Sequence, residues 1–153
     1  MSQQQLPTRR KTFTVQQANA TLPLVRAIVS DLVQLAKEVF DRRRRLTLLF
    51  EGRRRDASAG PYGEELAQIE EGLDRDTLQL QEYIEELEQV GVELKSATEG
   101  LVDFPAILED REVYLCWKLG EPEVGYWHEL EEGYQGRHPL PPSRIPSGRP
   151  STS

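Results

Sequence analysis

Cysteine and histidine are scarce in this 153-residue chain, one and two residues respectively, and no apolar run approaches the roughly 18 residues that span a bilayer. One cysteine cannot close an internal disulfide, so nothing depends on an oxidising compartment. With only two histidines it also cannot build a cysteine-rich zinc module. The amino-terminal "MSQQQLPTRRKT" has no apolar core of a secretory leader, and a soluble, cytoplasmic protein is the expectation. Apolar residues make up 37% against 29% charged, which favours an elongated shape over a thick core. A net charge of -7 opposes general affinity for nucleic acid or anionic membrane. There is no Ser/His/Asp ordering, no phosphate-cradling glycine loop and no metal-spaced histidine pair on a helix, so no residue is nominated as catalytic.

What is present begins with helix. "TVQQ" is a capping box in which Thr14 and Gln17 satisfy each other's amides, with Phe13 as a staple before it. Apolar residues then recur at Val15, Ala18, Leu22, Val25, Val29, Leu32, Ala36 and Val39, resuming at Leu46 and Phe50, with Arg43 interrupting the seam. Three-four spacing of this kind predicts a heptad helix to about residue 56. Pro23 predicts a kink, or a restart capped by Thr21. "DASAGPYG" reads as a turn. From about Gly63 the phase continues at Leu66, Ile69, Leu73, Leu80, Tyr83, Leu87 and Val90, with Asp76 as the polar substitution, and Gly91 ends the helix. Two such helices across a short turn make an antiparallel hairpin. Ile28, Leu35 and Phe40 fall off the seam and call for another partner.

Charge supports the pairing. Residues 41–56 carry +4 and residues 64–93 carry -10, so the arginine runs should lie beside acids of the second helix in exposed pairs worth roughly 0 to 1 kcal/mol each.

After Gly91 the period changes. "VELK", "GLVDF", "EVYLCWK" and "VGYWHEL" are short, rich in β-branched and aromatic residues, and separated by turn residues. The expected class is therefore α+β: a long antiparallel coiled-coil-like hairpin over residues 14–90, then a small antiparallel β-meander over 91–140, packed on the overhanging end of the first helix near Pro23. Residues 13–140 form a single domain between a flexible stretch, 1–12, and a Pro- and Ser-rich tail, 141–153, expected to be disordered.

Residues 111–140 gather the cysteine, both tryptophans, both histidines and three of the five tyrosines. If "GEPE" is the loop between the last two strands, Leu115 opposes His128, Trp117 opposes Tyr126 and Val113 opposes Leu130. Cys116 then shares the other face with Trp127 and Glu129. A slip of one residue would bring Cys116 and His128 together but split the apolar set, and burial favours the first register. Asp103, in "LVDFP", is either exposed or paired, with Arg137 as one possible partner; Pro105 holds Phe104 extended at a corner. Arg137 can form an ion pair with Glu129, Glu131 or Glu132, or its fork can recognise an anionic group. Cys116 is a packed hydrophobe or a ligand, and His128 a satisfied core residue or a ligand.

The segments "FTVQQANATLPLV", "GVELKSATEGLVDFPA" and "EVYLCWKLGEPEVGYWHELEEGYQGRHPL" together resemble the uncharacterised bacterial family of domain of unknown function 2203, over about residues 12–140. The resemblance implies one compact unit and carries no activity, cofactor or site.

Three functional readings follow. The first is a non-enzymatic interaction or scaffolding protein, self-associating as a dimer or binding another protein through the hairpin and the sheet aromatics, with Asp103, Trp117, Trp127, His128 and Arg137 as candidate contacts. The second is a metal or small-ligand site at the sheet-helix junction, built from Asp103, Cys116, Glu121 and His128. Mixed carboxylate, thiolate and imidazole donors suit zinc or a related transition ion, and an open position could support hydrolysis. The third is weak nucleic-acid binding through the arginines between Arg42 and Arg55, which the neighbouring acids should largely cancel.

Overall fold

The computed structural model describes residues 11–53 and 60–141. Two helices, α1 (Val15–Arg53) and α2 (Gly60–Val90), form the hairpin. A five-stranded antiparallel sheet follows in sequential order: β1 (Glu93–Ser96), β2 (Leu101–Leu108), β3 (Arg111–Lys118), β4 (Tyr126–Glu129) and β5 (His138–Pro139). Helix α1 starts where the capping box places it: Gln17 N–H donates to Thr14 Oγ1, and Thr14 N–H to Gln17 Oε1, both at 3.0 Å. Phe13 is buried and meets Phe104 edge-on at 5.2 Å, while its N–H donates to the Pro105 carbonyl at 2.8 Å. The residue read as a staple thus also fastens the chain to β2.

Pro23 does not divide α1, which runs unbroken through it. Thr21 is not a cap; its hydroxyl donates to the Gln17 carbonyl one turn back at 2.8 Å. Helix α2 starts at Gly60, earlier than the turn residues suggested, with Pro61 in the first turn, where its missing amide costs nothing. The rest of that expected turn, and the tail from residue 142, lie outside the described residues, as do residues 1–10.

The hairpin seam is buried near the sheet, at Val25, Val29, Leu32, Ala36, Val39 and Leu87. Farther out the heptad reading drifts. Phe50 is exposed, and Leu46 and Leu49 are the half-buried residues there, as expected when a straight helix of 3.6 residues per turn slides off a 3.5 repeat. Asp76 pairs with Arg42, and Arg45 with Glu65 at 2.8 Å. Ile28 needs no second chain, because it belongs to the main core. Leu35 is half-buried and Phe40 exposed.

The sheet covers the overhanging amino-terminal part of α1. Side chains from alternate positions, Val102, Phe104 and Ala106 on β2 and Val113, Leu115 and Trp117 on β3, join Leu22, Val25, Val29 and Leu32 in one core. Gly100, at φ +71°, brings the chain so close to the helix and the next loop that an added Cβ would stand 2.6 Å from Leu119 and 3.1 Å from Val33. Strand β2 is longer than the sequence suggested. It passes through Pro105 without a corner and turns at Glu109 and Asp110, both at positive φ, the geometry of a two-residue hairpin. Strand β5 was not anticipated; two residues of "RHPL" carry too little pattern to be read as a strand.

Candidate metal centre

The register between β3 and β4 decides which residues meet, and it is the slipped one. Tyr114 pairs with His128, Leu115 with Trp127, Cys116 with Tyr126, and Val113 with Glu129. The loop is not "GEPE" alone but residues 119–125, which turn Val124 into the core. Asn19 on α1 anchors that loop: the Val124 N–H donates to Asn19 Oδ1 at 2.7 Å, and Asn19 Nδ2 donates to the Val124 carbonyl at 3.3 Å. Trp117 Nε1 donates to the Glu121 carbonyl at 2.9 Å. The expected register rested on keeping the apolar set on one face, whereas here both faces are buried. Both tryptophans fall on the helix-facing side, since Leu115 opposes Trp127.

The other face then collects polar groups. Asp103 on β2 stands opposite Cys116 on β3, and His128 on β4 stands opposite Tyr114, so all three project to the face away from the helices. None is more than 2% exposed, and one ligand atom from each lies within 4.8 Å of the others. Of the four residues considered as ligands from sequence, Asp103, Cys116 and His128 are brought together. Glu121 is nearby but its carboxylate is held by Arg137.

Hydrogen bonding constrains the histidine. His128 Nδ1 is 2.8 Å from the Glu129 carbonyl oxygen, which can only accept, so Nδ1 carries the hydrogen. Nε2 faces Asp103, 3.0 Å from both Oδ1 and Oδ2. An acceptor facing a carboxylate requires a cation between them, either a proton or a metal ion. Burial raises the Asp103 carboxyl above the usual carboxylate range, against the opposing pull of His128. Burial, together with the Asp103 charge, pushes the Cys116 thiol up to about 11 against the lowering contact of Arg137.

Arg137 covers this cluster. Neither of the expected partnerships, with Asp103 or with the acids of residues 129–132, forms. Its Nη1 donates to Glu121 Oε1 at 3.2 Å and reaches Cys116 Sγ at 3.8 Å, and Nη2 pairs with Glu121 Oε2. Its guanidinium carbon lies 3.7 Å from the centre of the Tyr126 ring and 4.2 Å from that of Tyr134. Glu93 accepts from the Tyr114 hydroxyl at 3.1 Å and pairs with Lys95 at 3.1 Å, closing another side. The sequence reading missed the stacking on Tyr134. The Gly133 and Gly136 spacing that lets this segment fold back was its only signal.

No helix among the described residues is long and apolar enough to cross a membrane. Neither the curated proteins nor the solved structures contain a match to the chain. Residues 11–140 match the model described as "Uncharacterized conserved protein (DUF2203)", and the chain belongs to that family.

Proposed function

We propose that this protein binds a divalent transition-metal ion, zinc or a chemically similar one, through Asp103, Cys116 and His128. The observation that carries the reading is the fixed His128 tautomer: Nδ1–H is committed to a backbone carbonyl, and Nε2 is aimed at a carboxylate across 3.0 Å. Metal-ligating histidines are characteristically oriented by such an outer hydrogen bond. Tetrahedral zinc places nitrogen, oxygen and sulfur donors roughly 3.3 to 3.7 Å apart, so donors already within 4.8 Å close on an ion by side-chain rotation. Two anionic ligands and a neutral imidazole balance a divalent ion, which a buried site requires. The ligands sit buried on three adjacent strands; three protein donors leave a fourth coordination position to be filled, and burial restricts what can reach it. A reducing, cytoplasmic setting would keep the thiol available.

An ion that binds only the folded chain stabilises it by about 2.7 kcal/mol at a hundred times its Kd. Added zinc should therefore raise Tm by on the order of 5 to 10 °C, and EDTA should reverse the rise. Identical melts with zinc and with EDTA would count against the site.

A second reading, protein interaction through the hairpin, is supported by exposed apolar side chains on its two helices: Phe40, Leu48, Phe50 and Leu78 are each more than half exposed. Sedimentation at high micromolar concentration should show self-association that Phe40→Glu with Leu48→Glu reduces. A monomer with intact helix would remove the self-associating form of this reading.

A further inference from the structure

We infer that Arg137 is the residue that positions the sulfur ligand, its guanidinium N–H aimed at Cys116 Sγ as a partner to that atom in the metal site. The inference rests on the metal-binding reading and adds to it a preference for thiophilic divalent ions over hard ones such as magnesium. An ion pair with Glu121 alone would be satisfied anywhere on the surface, where a long flexible cation gains little from being fixed. Here the guanidinium is instead clamped between Tyr126 and Tyr134, its Nη2 reaching the Tyr134 hydroxyl at 3.4 Å as well as Glu121. With the plane fixed by two rings and a carboxylate, Nη1 has one remaining direction, towards Cys116 Sγ at 3.8 Å.

The arrangement matches what an outer-sphere residue must do. Arg137 is 12% exposed at its side chain and Glu121 21%, whereas the sulfur is fully buried, so the pair stands between the ligand and solvent. A planar fork delivers that N–H in a set direction, which a lysine ammonium cannot reproduce. Glu121 thereby acts through Arg137, and Asn19 through the loop that carries Glu121.

Cobalt(II) titrated into the full chain tests the assignment, because a thiolate ligand gives a near-ultraviolet charge-transfer band and carboxylate or imidazole does not. Wild-type protein should show the band, and Cys116→Ser should lose it. Arg137→Gln should bind cobalt about tenfold more weakly, the lower end for loss of an outer-sphere partner, with the band displaced. Arg137→Lys should recover part of the affinity but not the band position. An Arg137→Gln protein with the wild-type band and affinity would overturn the inference while leaving the metal site standing. Absence of cobalt binding to wild type would instead overturn the metal reading itself. Should Arg137→Gln fail to fold, Arg137→Lys decides, and a band and affinity unchanged in it would be equally fatal.

Discussion

Replacing Asp103 alone by Ala should destabilise the metal-free protein by roughly 3 kcal/mol, between the cost of one unsatisfied buried polar group and that of a broken buried ion pair. The substitution leaves His128 Nε2, now 3.0 Å from two carboxylate oxygens, facing no partner in a site 2% exposed. Replacing both residues, Asp103→Leu with His128→Leu, should behave differently. An apolar pair of similar volume is often no less stable than a buried polar pair, so urea denaturation should place the double variant within about 1 kcal/mol of wild type. That contrast separates a pair kept for a ligand from one kept for the fold. A double variant as unstable as the single one would make the pair a structural organiser and weaken the functional reading.

Much of the fold was legible in the sequence because its signals are local. The capping box of Thr14 and Gln17, the three-four spacing to Val39 and the Gly91 stop depend on neighbours within a few positions, and each appears where the spacing put it. The α+β order followed from the change of period after Gly91. The site was only partly legible. Its residue types, Asp103, Cys116 and His128, stood out, but their meeting depends on one residue of register between β3 and β4. That register was argued from keeping the apolar residues together on one face. Arg137 and Tyr134, on a segment with no periodicity to read, fold back to meet Glu121 of the 119–125 loop and bury the other face as well. The anchoring of the loop by Asn19, 105 residues away in sequence from Val124, is likewise invisible to any local pattern. The first helix seam misled in the opposite sense: Ile28 looked unpartnered on a two-helix seam because the sheet, which buries it, supplies a third surface.

Zinc binding should release about two protons per ion, since ligands must be deprotonated to bind. One is the proton held between Asp103 and His128. The other is on the thiol of Cys116, which burial pushes up to about 11 and which is therefore protonated at neutral pH. Exchange of two protons for one divalent ion leaves the buried charge unchanged, which is why the ion can enter at no Born cost beyond that already met. The sign follows directly: protons compete with the ion, so affinity falls as pH falls. The Cys116 proton alone, bound up to about 11, should make affinity fall about tenfold for each pH unit lost across the neutral range.

Calorimetric titration of untagged protein with zinc, in two buffers of different ionisation heat, measures both quantities at once. The site described here predicts one ion per chain and about two protons released, with both lost in His128→Ala. Wild-type protein that takes up no zinc, or takes it up equally well in His128→Ala, would contradict it.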